Sequence, residues 1–144
     1  MSSIQPSLAC DLAARLDAAG LRAINAPVSG GVPGAEAGNL AIMAGGAAAN
    51  IEEARPVLEA MGRVTRVGPN GAGQLAKLCN QAIVAVTIGA VSEALFLAEA
   101  GSADPAAVRE AIRGGFAESR ISRSSRRKNR CARLEPRRGR RRCN

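Results

Sequence analysis

Histidine is absent from this sequence of 144 residues, and only two residues are aromatic, both of them phenylalanine. Without histidine, the chain cannot use an imidazole base to activate serine or cysteine, and it cannot bind zinc through imidazole. So few aromatic rings argue against binding RNA or single-stranded DNA by base stacking. No secretory signal pattern opens the chain, so we expect a cytoplasmic protein.

The cysteines also give no sign of a metal site. None of them forms a C-x-x-C pair, so neither a zinc knuckle nor a disulfide scaffold is predicted. They are scattered along the chain as Cys10, Cys79, Cys131 and Cys143. We therefore expect no bound metal.

Basic residues are concentrated at the end of the chain. Residues 1–119 carry 8 Lys or Arg and 11 Asp or Glu, whereas residues 120–144 carry 12 Lys or Arg and one acid, Glu135. Residues 121–144 hold too few apolar side chains to order themselves, so we expect a disordered, Arg-rich tail. Its arginines could contact phosphates, which leaves nucleic-acid binding as an alternative function. No recognisable reading module accompanies the tail, and we do not expect nucleic acid as a partner.

Helices alternating with short apolar strands predict an α/β fold. The first helix has an apolar stripe of Leu8, Leu12 and Leu16, and a glycine follows it. Glycine and proline are concentrated between the first two expected strands, which predicts a loop. The expected helices are residues 6–19 and 48–61, the strands 21–24, 40–44 and 64–67, and the loop 27–39.

A long apolar segment follows the third expected strand. Residues 71–100 contain no proline and predict one helix of roughly 40–45 Å. Its apolar residues lie all round the helix, so we expect it to be buried on most faces. Polar residues, including Lys77 and Glu93, interrupt the segment, which argues against a membrane span. Asp104 and Pro105 then predict the start of a further helix.

The start of the long helix fits the pattern G-x-G-x-x-A, in residues 71–76. This pattern occurs in dinucleotide-binding turns, where glycine lets the backbone approach a pyrophosphate. Such a turn also requires a second strand that ends in an acidic residue about 20 residues later. That region is predicted to be helix here, which favours a glycine turn without a nucleotide.

Two further features suit chemistry at a small anionic ligand. Lys77 is the only charged residue between Val67 and Ser92, and on a helix it lies on the same face as Asn80 and Gln81. A lysine beside two amides suits a proton donor, although a lysine extending to solvent from a helix end gives the same pattern. Glycines after Ser29 would let backbone N–H groups approach an anion, although surface turns also have this composition.

These residues together resemble one known family. Ser3, the motif around Ser29, and the motif Gly71-x-Gly73-x-x-x-Lys77-x-x-Asn80 occur in the same order and spacing in the β-hydroxyacid dehydrogenases. This family includes 3-hydroxyisobutyrate dehydrogenase and relatives of 6-phosphogluconate dehydrogenase. The resemblance runs from residue 1 to about residue 121.

The resemblance implies a role for each matched residue. Lys77 matches the catalytic lysine, which exchanges a proton with the substrate oxygen during hydride transfer. Ser3 matches a hydroxyl that contacts the NAD or NADP cofactor. The remaining matches imply contacts with a small carboxylate substrate, and they are Ser29, Gly30, Gly31, Asn80 and Gln81. The implied reaction passes a hydride between nicotinamide and a small 3-hydroxy acid or semialdehyde.

The resemblance also implies the domain organisation. Residues 1–69 match part of a Rossmann-type NAD(P)-binding domain, and residues 70–120 match an interdomain helix and the start of an all-α domain. The family places a G-x-G-x-x-G turn ahead of the residue matched by Ser3, and this sequence has none there. We therefore expect a fragment truncated at both ends and inactive alone. Asn25 stands where the family usually has aspartate.

Two hypotheses about this fragment remain open. Composition switches within a residue or two of Ile121 to arginine, serine and proline, which is the expected product of a reading-frame shift in a GC-rich gene. Alternatively, the chain is a noncatalytic product that associates with homologous full-length subunits through its apolar helix. Neither hypothesis distinguishes NAD from NADP, because the selecting residue of the family lies ahead of the matched segment.

Overall fold

The computed structural model describes residues 2–119, and the chain divides into two compact units between Ile83 and Val84. The first unit holds a small sheet, its helices and the beginning of the longest helix. Its elements are α1 (Pro6–Ala18), β1 (Val28–Ser29), α2 (Gly31–Glu36), β2 (Leu40–Gly45), α3 (Ala48–Glu59) and β3 (Gly62–Gly68). Helix α4 (Ala72–Ala100) begins in the first unit, and the second unit also contains α5 (Pro105–Ala111).

The sheet has three strands in the order β1-β2-β3. Strands β2 and β3 are parallel, and α3 connects them, as a parallel pair requires. Strand β1 pairs antiparallel with the other edge of β2, with Val28 opposite Ile42. The predicted α/β class is confirmed for the described part of the chain.

Alternating burial along β2 explains the core. Leu40, Ile42 and Ala44 face inward on this strand and are buried. Leu58 of helix α3 packs in the same core cluster as Leu40 and Ile42, and Ile51, seven residues earlier on the same side of the helix, is also buried. This packing places β2 at the centre of the sheet and fixes the positions of its two neighbours.

Helix α1 forms where the sequence predicts it, but it buries a different face. Pro6 occupies the first turn, and Gly20 follows the helix with φ of 71°. The buried residues are Ala9 and Ala13, whereas the expected stripe of Leu8, Leu12 and Leu16 is 38–46% exposed. The small alanine side chains allow the helix to approach its neighbours closely. The prediction that the leucine stripe forms the buried face of α1 is therefore wrong.

The strand expected at residues 21–24 is absent. Pairing starts instead at Asn25, which forms an isolated antiparallel bridge with Gly45, and continues in the same register to β1. Residues 21–24 would face the chain beyond the end of β2, where α3 begins, so no strand is available to pair with them. The first strand therefore lies several residues later than the prediction.

The loop expected at residues 27–39 is wrong in part, because it contains β1 and the short helix α2. Residue Pro33 does not prevent this helix, since it lies in the first turn, where backbone N–H groups have no partner within the helix. The other two strands and α3 form close to their predicted bounds.

Helix α4 is one continuous helix of 29 residues, as the sequence predicts. Most of its apolar side chains are exposed, however: Leu78, Ile83 and Val86 are 51%, 66% and 73% exposed, whereas Leu95 is buried. The expectation of burial on most faces is therefore wrong for the described chain, since residues 2–119 supply too little surface to surround it. By length and composition alone, α4 could also cross a membrane, with a mean hydropathy of 1.8 in its most apolar stretch.

Helix α5 begins as predicted. Pro105 is its first residue, and the Asp104 carboxylate accepts a hydrogen bond from the Ala106 N–H at 2.9 Å. This cap satisfies one of the N–H groups left free in the first turn. The expected Arg-rich tail, residues 121–144, lies outside the described residues.

Candidate active site

Lys77 connects two elements of the first unit. It lies in the second turn of α4, is half-buried, and its Nζ donates a hydrogen bond to the Val28 carbonyl oxygen at 2.8 Å. Val28 belongs to β1 and directly precedes Ser29. The lysine predicted from the sequence therefore lies beside the loop that the resemblance assigns to the substrate carboxylate.

That loop, formed by Ser29, Gly30 and Gly31, connects β1 to α2. Gly30 and Gly31 have φ of 146° and 63°, conformations that residues with a side chain rarely adopt. A Cβ at position 30 would also lie 2.9 Å from Leu40 Cδ2. The glycines thus allow a sharp turn from the strand into the helix, and the first N–H groups of α2 have no partners within the helix. Such N–H groups suit an anion.

Asn80 and Gln81 follow Lys77 on the same side of α4, three and four residues later. Asn80 is half-buried, and its Oδ1 atom is buried without a hydrogen-bond partner among the described residues. Gln81 is exposed. An unpaired buried oxygen is unfavourable unless a donor reaches it, so Asn80 has an acceptor available for a ligand.

Ser3 lies in the N-terminal segment, residues 2–5, and is exposed. The segment is held against α4 by Gln74, which the sequence analysis did not select as a site residue. Gln74 Nε2 donates to the Ser2 carbonyl oxygen at 2.9 Å, and Gln74 Oε1 accepts from the Ile4 N–H at 3.2 Å. Gln74 is 3% exposed, and it precedes Lys77 by one helical turn. The position of Gln74 one turn before Lys77 on the same helix is the sequence feature that could have identified Gln74 as a site residue.

Protein atoms occupy the space beside both glycines of the G-x-G-x-x-A pattern. A Cβ at Gly71 would lie 2.6 Å from Cys10 Sγ, and one at Gly73 would lie 2.5 Å from Asn25 Oδ1 and 2.5 Å from the Met43 carbonyl oxygen. Helix α4 then runs on without the second strand that a dinucleotide turn requires. These glycines therefore serve close packing between α4 and the sheet, and the structure contradicts the dinucleotide interpretation of this pattern.

Asn25 makes a contact that aspartate could not make in the same way. Its Nδ2 donates to the Gly45 carbonyl oxygen at 2.9 Å and to Asn70 Oδ1 at 3.3 Å. An ionised carboxylate has no donor for these oxygens. The amide nitrogen therefore has partners that a carboxylate would lack, whereas Asn25 Oδ1 is buried without a hydrogen-bond partner among the described residues.

The site has few charges. Within residues 2–119, no three Cys, Asp or Glu side chains lie close enough together to hold a metal ion. All the predicted site residues belong to the first unit. A lysine, a hydroxyl, two amides and free backbone N–H groups can bind a small anion, orient it by hydrogen bonds and exchange one proton with it.

Two family models match this chain. The NAD binding domain of 6-phosphogluconate dehydrogenase matches residues 1–89. The NAD-binding domain of NADP-dependent 3-hydroxyisobutyrate dehydrogenase matches residues 71–135. The second match extends past residue 121, where we expected the resemblance to end.

Individual relatives agree with these models. The 2-hydroxy-3-oxopropionate reductase of Escherichia coli (strain K12) is 49% identical over 122 residues, which are 84% of this chain and 42% of the relative. A solved structure of Mycobacterium tuberculosis 3-hydroxyisobutyrate dehydrogenase with L-serine superposes with a TM-score of 0.76 at 39% identity, covering 82% of this chain and 41% of that one.

A second similar structure contains a cofactor. Psf3 in complex with NADP+ and 2-OPP superposes with a TM-score of 0.77 at 28% identity, covering 85% of this chain and 43% of that one. The chain thus spans about two fifths of the length of the curated relatives and solved structures that it matches.

Proposed function

The chain belongs to the β-hydroxyacid dehydrogenase family, whose relatives bind NAD or NADP, and from this premise we propose that it carries the substrate side of such an active site. The reaction is hydride transfer between nicotinamide and a small 3-hydroxy acid or semialdehyde. The Escherichia coli relative, named for 2-hydroxy-3-oxopropionate (tartronate semialdehyde), favours a substrate of the tartronate semialdehyde and glycerate type.

The contact between Lys77 and β1 carries this proposal. Lys77 Nζ lies 2.8 Å from the Val28 carbonyl oxygen, one residue before the 29–31 loop. A carboxylate bound by the N–H groups and hydroxyl of this loop would have the rest of a small molecule near Nζ. In this arrangement Lys77 Nζ, rather than a histidine, would exchange the proton with the substrate oxygen.

The lysine would act as acid in one direction and as base in the other. In reduction, a hydride adds to the carbonyl carbon, the C=O π bond breaks, and a proton passes from Lys77 Nζ to the resulting alkoxide oxygen. In oxidation, the neutral amine takes the proton back from the hydroxyl. Asn80 Oδ1, which is buried and unpaired, would accept a hydrogen bond from a substrate hydroxyl, and Gln81 would approach from the solvent side.

On the cofactor side of the site, Ser3 is the residue that would contact the nicotinamide. Bound nicotinamide supplies the hydride in reduction and accepts it in oxidation. The exposed Ser3 hydroxyl, on a segment that Gln74 fixes to α4, suits a contact with that ring.

The proposal is tested at Lys77. Residues 1–121 replace the matching part of the Escherichia coli relative, and the chimera is assayed for reduction of tartronate semialdehyde. We expect Lys77→Ala to lower kcat by about 100-fold or more, because general acid–base catalysis contributes about that much. Lys77→Arg should fail as well, since a guanidinium keeps its proton.

Arg15→Ala, an exposed change on α1, is the matched control and should leave kcat unchanged. If Lys77→Arg retained most of the activity, the role of Lys77 in proton transfer would be refuted. Lys77 would then act only by stabilising the negative charge on the substrate oxygen. A chimera with unmodified residues 1–121 and no activity would refute the proposed function itself.

A further inference from the structure

Gln74 has an unusual position among the polar residues of this chain. Within the described residues it is the only polar side chain that is buried, at 3% exposure. Both ends of its amide are nevertheless paired, and both with backbone atoms of the N-terminal segment about 70 residues away. Burial of an amide without these partners would be unfavourable, so the contact is specific.

The two hydrogen bonds lie on either side of one residue. Nε2 donates to the carbonyl oxygen of Ser2, and Oε1 accepts from the N–H of Ile4. The Gln74 side chain therefore holds the backbone on both sides of Ser3, and this fixes the position from which the Ser3 side chain extends. We call this arrangement the Gln74 clamp.

Lys77 makes the corresponding contact one turn later. Residues three apart lie on the same side of a helix, so Gln74 and Lys77 extend from neighbouring positions on α4. Gln74 holds the segment that carries Ser3, and Lys77 reaches the strand that leads into the 29–31 loop. The first turns of α4 therefore contact both the segment that carries Ser3 and the strand that leads into the 29–31 loop, and so fix their positions relative to each other.

We propose that Gln74 is a positioning residue, which sets the Ser3 hydroxyl relative to Lys77 Nζ through the Gln74 clamp. This inference rests on the proposed function, in which Ser3 contacts the nicotinamide and Lys77 contacts the substrate. The clamp holds the cofactor side and the substrate side of the site at a fixed separation, on which hydride transfer depends.

The first test measures the clamp without any activity. In the complete chain, the protection factor of the Ile4 amide against hydrogen exchange is compared between unmodified protein, Gln74→Met and Gln5→Met. Methionine fills a similar volume but cannot pair with Ser2 or Ile4. We expect the protection of Ile4 to fall roughly tenfold in Gln74→Met, the effect of losing one ordinary hydrogen bond.

Gln5→Met is the matched control, because Gln5 is exposed and adjacent to Ile4, and its side chain caps no N–H of α1. It should leave the protection of Ile4 unchanged. Equal protection in Gln74→Met and in the unmodified chain would overturn the clamp and the proposal with it.

Gln74→Glu adds a rescue that depends on pH. An ionised carboxylate has no donor for the Ser2 carbonyl oxygen, whereas a protonated carboxyl offers one donor and one acceptor, as the amide does. At neutral pH the carboxylate also sets a charged oxygen against the Ser2 carbonyl oxygen and buries that charge, which should displace the side chain from the Ile4 N–H. We therefore expect protection of Ile4 in Gln74→Glu to be lost at neutral pH and to return as the pH falls through the carboxyl titration. Gln74→Met should show no such return, and a matching return in both variants would contradict the proposal.

The second test separates positioning from a merely structural role. In the chimera that contains residues 1–121, Gln74→Met should lower kcat about tenfold or more while the KM for tartronate semialdehyde stays within about twofold, since misplacement affects the transition state more than binding. Unchanged kcat together with lost Ile4 protection would overturn the positioning role. An inactive unmodified chimera would overturn the proposed function and this role, while the exchange experiment would still decide whether the clamp exists.

Discussion

Gly73 shows how closely single residues are fitted between α4 and the sheet. A Cβ at this position would meet Asn25 Oδ1 and the Met43 carbonyl oxygen at 2.5 Å each, well inside normal contact. These neighbours are a strand backbone and a partly buried side chain, and neither can move away easily. The G-x-G-x-x-A pattern taken by itself also fits a nucleotide turn, which the sequence analysis did not favour, and the contacts assign this glycine to packing.

We therefore predict that Gly73→Ala destabilises the chain by about 1–3 kcal/mol, the usual effect of overpacking. Gly89, on the same helix, is the matched control, because a Cβ there meets nothing within 4 Å. Gly89→Ala should stabilise the protein by about 0.5–1 kcal/mol through helix propensity. Urea unfolding of the two variants measures both effects, and equal shifts of the same sign would show that packing at Gly73 is not the constraint.

At the scale of single elements, α3 is the helix with the clearest electrostatic pattern. The Arg55 guanidinium pairs with Glu52 at 2.6 Å and with Glu59 at 3.1 Å, one turn away on either side. The hydrogen bond from Arg55 lowers the pKa of Glu52 below its ordinary value of 4.5. The same bonds, first that with Glu52, raise the pKa of Arg55 above its usual range.

This pairing predicts a small, pH-dependent contribution to stability. Since the pKa of Glu52 is lower in the folded chain than in the unfolded chain, the contribution is present above about pH 4.5 and is lost as the pH falls through the lowered value. Glu52→Gln should therefore lower the urea midpoint slightly at about pH 7 and by less at about pH 3.

Glu36→Gln, at an exposed acid of α2, provides the comparison for this measurement. It removes a negative charge without disturbing the Arg55 pairs. If Glu52→Gln lowered the midpoint equally at both pH values, the ion pair would not be the cause.

Helix α4 has two different roles along its length. Its first turns carry Gly73, Gln74 and Lys77, each in contact with another element of the first unit. Its later apolar residues, such as Phe96 and Leu97, are 72% and 73% exposed. A contiguous apolar surface of this kind is uncommon on a soluble monomer, which suits the hypothesis of association with homologous subunits.

For the whole molecule, the main consequence concerns cofactor affinity. The resemblance assigns a contact with the nicotinamide cofactor to Ser3 alone, and one hydroxyl would contribute about 0.5–1.5 kcal/mol. A micromolar site requires about 8 kcal/mol. We therefore predict that the isolated chain binds neither NADH nor NADPH with micromolar affinity and does not reduce tartronate semialdehyde.

Calorimetric titration of the purified chain with each cofactor measures this directly. A stoichiometric micromolar site would contradict the prediction and would require pyrophosphate contacts other than the family's glycine-rich turn. AMP serves as the control ligand, since it shares the adenosine phosphate group and lacks the nicotinamide.

The sequence alone predicted β2, β3, α3 and α4, because each has a local periodicity or a local stop signal that does not depend on distant residues. The motif around Lys77 identified the family for the same reason, since its residues are spaced along one helix. The catalytic and binding roles of Ser3, Ser29, Lys77 and Asn80 stay predictions, to which the structure adds the contact between Lys77 and Val28.

Tertiary structure alone decided three features. Which face of α1 is buried depends on how closely the helix approaches its neighbours, and this selects Ala9 and Ala13 over the leucines. The first strand begins at Asn25 because β2 ends at Gly45 and offers no earlier partner. The role of Gln74 depends on partners about 70 residues away. Hydrophobic periodicity encodes the elements one at a time, whereas these features arise only when the elements pack together.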